Sequence, residues 1–154
     1  MKGCYCLIIK LTNNSKIKIG KKLGFIQFKK GYYVYVGSAM NSLTARLNRH
    51  MSDDKKLHWH IDYLLKNKNS QIVEILFNIS PKKVECELSQ HISSKTSNIE
   101  GFGCSDCECD SHLYYFKNKK EATETVIEAY DSIAMDYQFF RICIPVFSYA
   151  YSLF

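Results

Sequence analysis

Tyr32-Tyr33-Val34-Tyr35-Val36-Gly37-Ser38-Ala39-Met40-Asn41-Ser42-Leu43-Thr44-Ala45-Arg46-Leu47 changes its period part-way along. The aromatic and β-branched run from Tyr32 to Val36 reads as a strand that stops at Gly37. From Asn41 onward, Leu43, Leu47 and Met51 fall at i, i+4 and i+8, one face of a helix that Asn41 or Ser42 can cap. Upstream, Cys4 to Leu11 is a second strand-like run, closed by the turn Thr12-Asn13-Asn14-Ser15. Basic residues Lys16, Lys18, Lys21 and Lys22 and the segment Phe25-Ile26-Gln27-Phe28 separate the two runs. A parallel pair requires a crossover of a dozen or more residues, so the extended segments are expected to pair antiparallel.

Downstream, Leu57, Ile61, Leu64 and Leu65 keep helical spacing over Leu57 to Lys66. Gln71 to Ile79 is a short, nearly continuous apolar run of the kind buried on both faces of a sheet. Ser80-Pro81 reads as an N-cap with proline in the first helical position, and Val84, Leu88 and Ile92 form the stripe that follows. A strand from Leu113 to Phe116 and a helix from Lys119 to Tyr137 come next. The order is β-β-α-α-β-α with a strand and helix added: an α+β fold with a small central antiparallel sheet and flanking helices. The expected division is a domain over 1–116 and a helix with an apolar tail over 117–154, packed on it or swapped with a partner.

The 154 residues are 46% hydrophobic and 23% charged with 2 prolines and 7 glycines, which excludes disordered and collagen-like classes. The net charge of +6 favours anionic partners, nucleic acid among them. Seven cysteines are an odd count, and the N-terminal stretch carries no secretory-type cleavage site, so a reducing cytoplasm is the expected compartment. Phe139 to Phe154 is interrupted by Arg141 and Pro145 and is too short for a spanning helix; a strand or packed tail is expected, with no membrane partner.

Gly3-Cys4-Tyr5 on the first strand, Tyr35-Val36-Gly37 on the second, Leu43-Thr44-Ala45-Arg46 on the first helix and Glu85-Cys86-Glu87-Leu88 on the third occur in order. Together they resemble the GIY-YIG nucleases. Arg46-Leu47-Asn48-Arg49-His50, Trp59-His60-Ile61-Asp62-Tyr63 and Gly101 to Leu113 are similar to a branch called Uri superfamily endonucleases. The resemblance implies a metal-dependent endonuclease acting on DNA, with Mg²⁺ or Mn²⁺ held by Glu85. It implies Tyr5 as general base, Arg46 on the phosphate, and Tyr35 and His50 within the catalytic set; Gly37, Ser38, Arg49 and His60 would lie along the nucleic acid. Some relatives carry lysine directly after the second glycine; this chain has Ser38 there, so a fixed cation beside the phenol is missing at that position. The alternative is a non-catalytic nucleic-acid-binding module on the same fold. One such module usually cuts one strand, so double-strand cleavage would require a homodimer or sequential nicking.

The chemistry suits these residue types. A single carboxylate with waters and substrate phosphate is a usual magnesium arrangement. A guanidinium holds its charge at any working pH and can donate two parallel hydrogen bonds to phosphate. A phenol titrating near pH 10 needs nearby positive charge to act as a base, which Arg46, His50 or a metal would supply. His58 and Asp62, at i and i+4, can pair, and Trp59 can stack on a base or pack in the core. Cys104, Cys107, Cys109 and His112 are the four donors of a structural zinc site. Their confinement to nine residues weighs against zinc, leaving buried thiols, a substrate-loop role or a disulfide open, with His112 also available to the nuclease site.

Overall fold

The computed structural model describes residues 1–104 and 107–142. Its centre is a five-stranded sheet in the order β6-β4-β1-β5-β7, every neighbouring pair antiparallel. The strands are β1 (Gly3–Leu11), β4 (Gly31–Ala39), β5 (Ser70–Phe77), β6 (Leu113–Phe116) and β7 (Gln138–Phe139). β1 lies in the middle and is buried along almost its whole length, as its unbroken apolar run requires.

Alternation along β1 divides the core into two. Tyr5, Leu7, Ile9 and Leu11 face α2 (Leu43–Met51) and α3 (His60–Lys66), packing with Leu43, Leu47, Ile61 and Leu64. Cys4, Cys6 and Ile8 face the other way, onto Leu88 and Ile92 of α4 (Glu85–Ser93) and Val126, Ala129 and Tyr130 of α5 (Lys119–Ser132). Helices therefore cover both faces of an α+β sheet. The connection from β1 to β4 is itself ordered: β2 (Ser15–Lys18) and β3 (Phe25–Phe28) form a separate antiparallel pair, with α1 (Gly20–Leu23) between them. Ile17, Ile19 and Phe28 tie this hairpin to the core.

Three boundaries differ from the sequence reading. α3 starts at His60 rather than Leu57, because the Asp62 carboxylate accepts the backbone N–H groups of His58 and Trp59 and holds them outside the helix. α4 starts at Glu85 rather than Pro81. Asn78 and Ser80 donate their backbone N–H to Cys4 and Lys2, which keeps that stretch extended beside β1, and Val84 N–H donates to the Cys4 sulfur. α5 ends at Ser132, short of Tyr137. Ser42 is the cap of α2, its hydroxyl accepting from Ala45 N–H at 3.2 Å. Phe139 pairs with Leu76 in β7, and the tail from 143 lies outside the described residues. Among the described residues no helix is long and apolar enough to cross a membrane.

Candidate functional site

A cleft of roughly 580 Å³ opens where β1, β4, α2 and the start of α4 meet. Tyr5, Tyr35, Gly37, Ser38, Arg46, Lys83 and Glu85 line it, together with Trp59, His60 and His112. Residues more than a hundred positions apart meet here, and at its base Tyr5 and Gly37 are direct partners across β1 and β4. A Cβ on residue 37 would lie 2.5 Å from both Cζ and Oη of Tyr5, so only glycine lets the phenol cross the neighbouring strand. Gly3 answers a similar need: a Cβ there would stand 1.9 Å from the Asn78 carbonyl oxygen.

The Tyr5 hydroxyl lies 2.7 Å from His50 Nε2, one turn beyond Arg46 on α2. Burial drives the Tyr5 phenol upward, and the Arg46 guanidinium beside it pulls the other way. Burial, reinforced by Lys55 and Arg46, lowers His50 to about 3, so its imidazole is neutral at working pH. His50 thus supplies no positive charge to Tyr5, which leaves Arg46 or a metal of the three sources named; it serves as a hydrogen-bond partner. Its Nδ1 is buried with no hydrogen-bond partner among the described residues. Tyr35 stands 6.5 Å from Tyr5 and 6.1 Å from His50 between ring centroids.

Arg46 donates to the Ser38 carbonyl at 3.0 Å and lies over the Trp59 ring at 4.4 Å. Arg49 covers the same indole at 4.2 Å, so Trp59 carries two guanidinium groups. Arg49 is otherwise committed: Nη1 and Nη2 donate to Oδ1 and Oδ2 of buried Asp62 at 2.8 and 2.9 Å. Burial alone would raise the Asp62 carboxyl, but Arg49 and the two backbone amides outweigh it and hold it below the usual range. The structure therefore gives Arg49 a scaffolding bond, and His58 meets Asp62 through its backbone rather than its ring. His60 Nδ1 accepts from Gly103 N–H at 2.9 Å, fixing the glycine-flanked loop to α3.

Glu85 occupies the first position of α4, where the helix dipole favours a carboxylate. Its side chain is only 14% exposed and its Oε1 lies 3.0 Å from Lys83 Nζ. No motif marks Lys83 beyond its place two residues before Glu85; it brings an ammonium to the cleft that Ser38 does not provide.

At the edge of the cleft, which Cys107 and His112 help to line, Cys86, Cys107, Cys109 and His112 present one donor atom each, all within 4.8 Å of one another, a group that could hold a metal ion. Cys104 stands apart from it, its thiol directed at the Asp110 carbonyl at 3.7 Å. The fourth donor thus comes from α4, which the nine-residue run could not reveal. The six cysteines of the described residues are free thiols, and burial raises Cys86 and Cys109.

A mixed α+β scaffold with a polar cleft at the end of its central strands defines the class of protein. Residues 4–135 match a family described as Domain of unknown function DUF123, and the chain belongs to that family. Neither the curated proteins nor the solved structures give a match.

Proposed function

We propose that the chain is a metal-dependent endonuclease that hydrolyses DNA phosphodiester bonds, in keeping with its resemblance to GIY-YIG nucleases. One observation carries this: Tyr5 from β1, Arg46 from α2 and Glu85 from α4 line a single cleft. These are a potential base, a permanent cation and a hard oxygen ligand, the three functions phosphodiester hydrolysis demands.

The Glu85 carboxylate, a hard oxygen donor lining the cleft, suits a hard divalent cation. Mg²⁺ or Mn²⁺ bound there would neutralise charge on the phosphate and lower the pKa of a bound water. Lys83, 3.0 Å from Glu85, adds an ammonium to the same cleft. Arg46 receives the non-bridging oxygens, its plane held by Trp59 and the Ser38 carbonyl. In the phenolate form that the Arg46 guanidinium favours, the Tyr5 oxygen would take the proton of the attacking water.

The 3.0 Å pair between Lys83 and Glu85 favours a second reading, a nucleic-acid-binding module whose carboxylate is neutralised by its own lysine. Nicking of supercoiled plasmid with Mg²⁺ or Mn²⁺ separates the two. Turnover by the parent that falls at least about 100-fold in Tyr5→Phe and Arg46→Ala supports the enzyme; DNA binding without turnover supports the module.

A further inference from the structure

The Cys/His group at the edge of the cleft draws its donors from three places: Cys86 from the first turn of α4, Cys107 and Cys109 from the loop, and His112 from the residue before β6. The donors are therefore not confined to one short run. His112 is almost wholly buried, and its two ring nitrogens have separate partners. Nδ1 meets the Ser89 hydroxyl at 2.6 Å, and Nε2 faces the Cys107 sulfur at 3.1 Å. Ser89 lies one turn after Cys86 on the same helix, so α4 brings both a ligand and the group that orients another. A hydroxyl accepting from Nδ1–H fixes the tautomer that leaves the Nε2 lone pair toward the thiols, which is how ligating histidines are held.

We propose that Cys86, Cys107, Cys109 and His112 bind one structural Zn²⁺, with His112 ligating through Nε2 and Ser89 orienting it. Three thiolates and an imidazole are a soft donor set that selects zinc over magnesium or calcium. Bond lengths of about 2.3 Å to sulfur and 2.0–2.1 Å to nitrogen put tetrahedral donors roughly 3.5–3.8 Å apart. Donors all within 4.8 Å of one another therefore close by no more than about 1 Å, and the Cys107–His112 pair, at 3.1 Å, opens by a few tenths of an ångström. Four protein ligands leave no open position, the mark of a structural site. The ion clips the cysteine loop to the first turn of α4, next to Glu85. Because the site is defined by its donors alone, it stands or falls independently of the nuclease reading.

The test is metal content of the full chain, purified under reductant and passed over chelating resin, together with Co²⁺ substitution. The parent retains about one zinc per chain and, with Co²⁺, shows thiolate charge-transfer and tetrahedral ligand-field bands. Cys86→Ser and Cys109→Ser lose at least about tenfold of the bound zinc, whereas Cys104→Ser keeps it. Ser89→Ala retains the site with affinity about 10–100-fold weaker. Zinc-free parent that gives no cobalt–thiolate bands after chelator stripping overturns the site, and this arm requires no variant to fold. Loss of zinc in Cys104→Ser with retention in Cys86→Ser overturns the assignment of ligands.

Discussion

Asp62→Ala removes the one buried carboxylate that binds the two sides of the Trp59 platform together. Four hydrogen bonds end on it: two from Arg49 and the backbone N–H groups of His58 and Trp59. Breaking a buried ion pair by deleting one partner costs about 3–5 kcal/mol. Arg49 keeps 28% of its side chain exposed and can turn to water, which places the expected loss near the lower end, about 3 kcal/mol. At a urea slope of roughly 2 kcal/mol/M that lowers the midpoint by about 1.5 M. The single tryptophan reports locally, since Trp59 is held between Arg46 and Arg49 and its emission should shift before global unfolding begins. A coupling energy of about 1–3 kcal/mol with Arg49→Ala in a double-mutant cycle is the accompanying expectation. A change below about 1 kcal/mol, with unaltered tryptophan emission, would refute the view that this pair sets the platform.

The remaining predictions concern sterics and pH. Gly37→Ala forces the Tyr5 ring aside and should destabilise by about 1–3 kcal/mol, while Gly3→Ala meets a backbone carbonyl and should cost more, both read from thermal unfolding. His50 is depressed to about 3 in the folded chain, so the stability this neutral burial confers is complete above pH 6.5 and declines as pH falls toward 3. The slope contributed is about 1.4 kcal/mol per pH unit; His50→Gln should flatten the acid limb of a stability-versus-pH curve, and an unchanged slope counts against the buried neutral imidazole. Asp62, also depressed, adds a second loss of the same sign beginning below about pH 4, which Asp62→Asn should remove.

Local signals carried much of the architecture. The switch from alternation to helical spacing after Gly37 marks β4 and α2, and Ser42 is where a cap is needed. The apolar run of β1 identifies the central strand. Non-local bonds carried the rest. α4 begins at Glu85 because the preceding residues are hydrogen-bonded to Lys2 and Cys4, far away in sequence, and a Ser-Pro start signal does not register that competition. The β2–β3 hairpin is hard to read because its strands, Ser15–Lys18 and Phe25–Phe28, are four residues each, too short an alternation to register. Arg49 resembles a free basic residue on α2 until Asp62 is seen opposite it. Cys86 sits inside a helical stretch, and only folding brings it to the three donors of the later loop.

The central claim is best tested by single-turnover cleavage of a DNA substrate at saturating protein and Mg²⁺ or Mn²⁺, comparing the parent with Glu85→Gln at equal measured occupancy. The account predicts that Glu85→Gln binds DNA as well as the parent but cleaves at least about 100-fold more slowly. Equal cleavage by both proteins, or none by either, would contradict it.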